Sequence, residues 1–111
     1  MHASTEQLNG IFQALADPTR RAILRRLGSG SAGVGELAQP FDMALPSFMK
    51  HITALEQSGL IRTSKSGRVR TCTIEKATFD AIEDWLSDQR KLWGERTDRL
   101  EAFVTRDSSR D

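Results

Sequence analysis

Residues 45–59, Leu45-Pro46-Ser47-Phe48-Met49-Lys50-His51-Ile52-Thr53-Ala54-Leu55-Glu56-Gln57-Ser58-Gly59, decide the fold. The apolar side chains Leu45, Phe48, Ile52 and Leu55 are spaced by 3, 4 and 3 residues, the period of a helix with one buried stripe. The spacing predicts a helix over about residues 45–58, with those four turned inward. Pro46 fits because it lies in the first turn, where its missing N–H has no intrahelical acceptor to lose. Gly59 is suited to the left-handed residue that ends a helix. The opposite face then presents Pro46, Ser47, Met49, Lys50 and Thr53 to solvent.

Downstream lie two β-prone runs, residues 60–65 and 68–74, rich in Thr, Val, Ile and Cys. The Ser66-Gly67 step between them favours a hairpin turn. Upstream, Leu8, Ile11, Phe12 and Leu15 recur at helical spacing and predict a first helix over about residues 5–16. Asp17-Pro18 reads as a cap followed by proline at the first helical position. This second helix runs to about Leu27, with Ile23, Leu24 and Leu27 inward, and Gly28-Ser29-Gly30 ends it. A third helix over residues 34–39 has Val34, Leu37 and Ala38 apolar, and Pro40 stops it. After the hairpin, Ile82, Trp85, Leu86, Leu92, Trp93, Leu100 and Phe103 place a last helix over about residues 78–104. Residues 106–111 read as a polar tail that frays.

The predicted fold class is therefore mainly α with a small β-hairpin, in the order α-α-α-α-β-β-α. This is the order of a winged helix-turn-helix, in one domain spanning residues 1–111. The first and last helices are expected to dimerise, through Leu8, Ile11, Phe12, Leu92, Trp93, Leu100 and Phe103. Their apolar surface exceeds what so small a core can cover.

The charges agree with this geometry. The net charge is only +1, but residues 44–76 hold six basic side chains against two acidic ones. Residues 77–111 hold six basic against nine acidic. A local basic segment suits a phosphate-facing surface. The N-terminal turns of such a helix enter the major groove, where Lys50 suits guanine or phosphate and Ser47 either base class. Lys65 and Arg68 at the hairpin tip and Arg70 further in suit phosphates or the minor groove. Each residue also has a plainer reading. The helix face could be mere solvent surface, and the hairpin cations could guard an edge strand. His51 suits either a phosphate contact or the capping of a turn.

A resemblance joins these readings. Residues 14–24, Ala14-Leu15-Ala16-Asp17-Pro18-Thr19-Arg20-Arg21-Ala22-Ile23-Leu24, resemble the opening of the ArsR/SmtB family of regulators. Residues 34–38, 45–52 and 55–61 continue the match in register. The resemblance implies a homodimeric winged helix that binds double-stranded DNA at a partly palindromic operator, usually as a repressor. The sequence departs from the family's metal sensors. Residues 34–38 lack a Cys-x-Cys pair, and the last helix has carboxylates but no histidine. His2 and His51 are the only histidines, so neither a metal nor any other cofactor is expected. Ala44 stands where the family often has a capping serine, and Met49 where a small polar residue is common.

Other functions are weaker. The chain has no Gly-rich phosphate loop and no nucleophile–base pairing, so no catalytic residue is assigned and no enzyme is expected. One alternative is a winged helix used for protein binding. Another is a thiol-responsive regulator acting through Cys72, though a lone strand cysteine more often packs as a small hydrophobe. A cytoplasmic location is expected, because no apolar run exceeds three residues and the single cysteine cannot form an internal disulfide.

Overall fold

The computed structural model describes residues 3–107, with side chains to residue 94. Helix α1 (Thr5–Leu15) begins at Ser4, whose hydroxyl accepts from the Gln7 amide at 3.1 Å. Helix α2 (Pro18–Leu27) begins at Asp17, whose carboxylate accepts from the Arg20 amide at 3.0 Å, with Pro18 in the first turn. Helix α3 (Val34–Ala38) and helix α4 (Leu45–Gln57) follow. Strands β2 (Ile61–Ser66) and β3 (Val69–Ile74) form the hairpin, and α5 (Lys76–Asp107) closes the chain. Helix α5 thus starts earlier and ends later than its apolar pattern indicates, taking in Arg106 and Asp107.

One element departs from the expected order. Ala32–Gly33 form a two-residue strand, β1, so the sheet has three antiparallel strands in the order β1-β3-β2. Ala32 pairs with Cys72 and Gly33 with Thr71, while Thr63 pairs with Cys72 on the other side. Two residues carry no periodicity of their own; β1 exists because β3 offers it an edge. The hydroxyls of Ser31 and Thr73, 2.8 Å apart, fasten that edge. The turn also sits one residue later than Ser66-Gly67. Ser66 pairs with Val69, leaving Gly67 and Arg68 as the two loop residues. Gly67 has φ +62°, and among the described residues no non-glycine has positive φ, the pattern of a type II′ turn with glycine first.

Ile11, Ile23, Phe48, Ile52, Leu55, Leu60 and Cys72 fill the centre of the core, where the helices before the hairpin meet the sheet. The junction between α4 and β2 is tightly specified. Gly59 has φ +83° and its amide donates to the Glu56 carbonyl at 3.0 Å. The Leu60 amide donates to the Leu55 carbonyl at 3.1 Å, and both leucine side chains are buried. These paired bonds with an apolar contact make a Schellman cap, which fixes where the wing leaves α4. The buried Thr78 hydroxyl donates to the Gly59 carbonyl and docks the start of α5 on the same junction.

Beyond Trp85, α5 leaves the body. Its 32 residues span about 48 Å at 1.5 Å per residue. The radius of gyration is 19.4 Å, against about 13 Å for a compact chain of this length. Leu92 and Trp93 on this arm are 64% and 58% exposed, and Leu86 is also exposed. Phe12 of α1 packs edge-to-face on Trp85, centroids 5.4 Å apart, and stays 39% exposed. Leu8 is half-buried. Ile11 is a correction to the expected dimer surface: it is 0% exposed within the protomer core, because α1 turns that part of its stripe onto its own body. The side chains of Leu100 and Phe103, and the tail beyond residue 107, lie outside the described residues.

Candidate nucleic-acid interface

Helix α4 is held by its inner face, where Phe48, Ile52 and Leu55 are buried. The turn before it is anchored by Phe41, whose ring lies 5.5 Å from that of Phe48. Ala44 takes the cap position and supplies no side-chain hydrogen bond. The first amides of α4 therefore keep their donor capacity, as uncapped helix starts do. Pro46, Ser47, Lys50 and Thr53 are all exposed on the outer face. Leu45 is a correction: the helical period turns it inward, yet it is 56% exposed, because the first residue of α4 overhangs the core that the next turns cover.

Two other residues expected on this face sit at its margins. Met49 is half-buried against the edge of the core. His51 turns toward α2, with Nδ1 3.7 Å from Oδ2 of Asp17 and a side chain only 23% exposed. His51 thus lies beside the cap of α2, which Asp17 supplies. Asp17 also lies 4.0 Å from Nε of Arg20, so the α2 start and the middle of α4 share one polar cluster.

The wing stands beside α4. Lys65 and Arg68 are exposed at and next to the turn, and neither they nor Lys50 make an ion pair among the described residues. Arg70 is differently placed. Its guanidinium donates to the Thr63 hydroxyl at 3.2 Å, and that hydroxyl donates to Glu56 at 2.8 Å. This relay links the hairpin to the last turn of α4. No sequence signal marks Thr63 or Glu56, since the relay joins residues from three elements. Between α4 and the wing lies an open concavity of about 620 Å³, with Leu45, Met49 and Val69 among its walls and Lys65, Arg68 and Arg70 along its side.

Cys72 lies in the sheet with 0% exposure. Burial pushes its thiol pKa up, and the carboxylate of Glu56 adds to this against the weaker pull of Arg70. A sealed, protonated thiol is a poor nucleophile. Among the described residues, no group of three His, Cys, Asp or Glu side chains converges to hold a metal ion. No described helix is long and apolar enough to cross a membrane.

Comparison with known proteins agrees with this geometry. The family described as "Helix-turn-helix domain" matches residues 15–64. The chain is 29% identical over 79 residues to the transcriptional repressor SdpR of Bacillus subtilis (strain 168), covering 71% of this chain and 88% of that one. The crystal structure of the ArsR family transcriptional regulator RHA00566 superposes with a TM-score of 0.80 at 69% identity, covering 85% of this chain and 97% of that one. A winged helix-turn-helix DNA-binding domain from Mycobacterium bovis, described as homodimeric, has a TM-score of 0.61 at 24% identity, covering 78% and 82%, and shares the fold. With its helix-turn-helix, its wing and its 69% identity to the ArsR family regulator RHA00566, the chain belongs to the ArsR family of winged helix-turn-helix, DNA-binding transcriptional regulators.

Proposed function

We infer that this regulator is a repressor that binds a partly palindromic operator as a homodimer. Pro46, Ser47, Lys50 and Thr53 of α4 enter the major groove, with Met49 at the margin. Lys65 and Arg68 of the wing contact phosphate or the minor groove. Arg70 chiefly aims the wing through Thr63 and Glu56, and His51 holds α4 against α2. The observation that carries this reading is the placement of Lys50, Lys65 and Arg68. All three are exposed cations without an ion pair among the described residues, on two elements flanking one concavity. Cations left unneutralised among the described residues suit a polyanion.

The dimer is supported by the arm of α5 and its neighbour α1. Phe12, Leu86, Leu92 and Trp93 stay exposed in the protomer, and a second arm would cover them. Two α4 helices related by a two-fold axis would read half-sites about one helical turn, ~10 base pairs, apart. Repression is favoured by the likeness to SdpR, which is named a repressor. The test is an anisotropy titration on a duplex selected from random DNA, over a range of salt. Affinity that falls steeply with salt supports the reading. Weak, salt-insensitive association would count instead for a winged helix that binds protein.

A further inference from the structure

The first turn of α4 exposes an aliphatic side chain where the proposed reading puts DNA. Leu45, half-exposed, faces Val69, itself 55% exposed, across the concavity between helix and wing. Met49 lies one turn along the same flank of α4 and borders the same space. Glu56 continues that flank and is the residue tied to the wing through Thr63. The lining of the concavity thus combines the apolar Leu45, Met49 and Val69 with the cations Lys65, Arg68 and Arg70 and one carboxylate, Glu36, which is paired with Arg26 at 3.0 Å.

That combination narrows the occupant. Three cations in the lining, against one carboxylate that Arg26 already neutralises, disfavour a cationic or purely apolar partner and suit a polyanion. A DNA duplex presents one apolar group on the major-groove edge of its base pairs, the C5 methyl of thymine, and apolar side chains recognise it by contact. We propose that Leu45 and Met49, with Val69 closing the side, bury a thymine methyl, so that each half-site contains a thymine read by this patch. The inference rests on the reading that α4 occupies the major groove. It adds that one element of selectivity is apolar, independent of hydrogen bonds from Ser47 or Lys50.

Deoxyuridine tests it, because it differs from thymine only in lacking the methyl. The probe is a duplex recovered by selection from random DNA, with each thymine in turn replaced by deoxyuridine. Burial of one methyl corresponds to about fourfold in affinity, so symmetric replacement in both half-sites should cost about fifteenfold. The loss should appear at one thymine position per half-site with the unaltered protein, and should shrink several-fold with Leu45→Ala. A second duplex series replaces guanine by 7-deazaguanine, which removes the N7 acceptor without touching any methyl. If no deoxyuridine matters while 7-deazaguanine weakens binding, the methyl proposal is overturned and the major-groove reading stands. If neither series matters, the major-groove reading itself falls and takes the proposal with it. A deoxyuridine loss that persists undiminished in a folded Leu45→Ala protein assigns the methyl to other residues and overturns the proposal.

Discussion

Nδ1 of His51 stands 3.7 Å from Oδ2 of Asp17, so the middle of α4 is tied to the residue that caps α2. Burial pushes the Asp17 carboxyl up. The Arg20 amide, the His51 imidazole and the Arg20 guanidinium together outweigh burial, and the pKa lies below its ordinary value. A carboxyl with a depressed folded pKa stabilises the fold above the unfolded pKa, and that contribution disappears as pH falls through the folded one. Stability should therefore decline below about pH 4 in part through Asp17. Asp17→Asn keeps an effective cap but has no carboxylate to protonate. Urea midpoints measured across this range should fall less steeply for Asp17→Asn. Parallel curves would show that Asp17 contributes nothing to the acid limb.

Helix α4 starts without a side-chain cap at Ala44. Ala44→Ser should stabilise the protein by about 1 kcal/mol, read as a raised denaturation midpoint at an unchanged slope. An unchanged midpoint would mean that the backbone at residue 44 cannot present a serine hydroxyl to the first turn.

Gly59 and Gly67 separate strain from crowding. Both have positive φ, but a Cβ at Gly59 would meet Oγ1 of Thr78 at 3.3 Å, while one at Gly67 would meet nothing within 4 Å. Gly67→Ala should cost about 1–3 kcal/mol for the positive-φ backbone alone. Gly59→Ala should cost more, because it also disturbs the docking of α5 through Thr78. Equal losses would indicate that α5 yields freely at that contact.

Much of this architecture is legible in the chain because it depends on local chemistry. Asp17-Pro18 announces a helix start and Gly59 a helix stop, and both do so in the fold. The misses share one cause: they depend on what lies across the chain. β1 is a strand only because β3 runs beside it. Ile11 and Phe12 belong to one apolar stripe, and only the packing of α1 shows that Ile11 faces inward while Phe12 stays at the surface. Leu45 obeys the period of a buried face yet overhangs the core. The candidate site is legible in its cations, Lys50, Lys65 and Arg68, but not in the contacts of His51 and Arg70. Those contacts are made with partners far away in sequence, Asp17 for one and Thr63 with Glu56 for the other.

Trp93 stands on the arm of α5, outside the protomer core and largely exposed. Trp93→Glu should leave the monomer fold intact by circular dichroism, yet shift the protein from dimer to monomer in sedimentation velocity. Operator affinity should fall with it, since two half-sites would no longer be bound as a unit. A variant that remains dimeric would move the interface away from this arm.

The central claim is that α4 reads bases while the wing tip holds backbone. The direct test is a salt titration of Lys50→Ala and Arg68→Ala on the selected operator and on random duplex. Lys50→Ala should cost about 1–3 kcal/mol per half-site on the operator and relax selectivity at one position in each. Arg68→Ala should weaken both duplexes alike and reduce the salt slope by about one unit for each phosphate it no longer neutralises. Selectivity retained in Lys50→Ala but abolished in Arg68→Ala would contradict the account, because the wing, not α4, would then be reading the sequence.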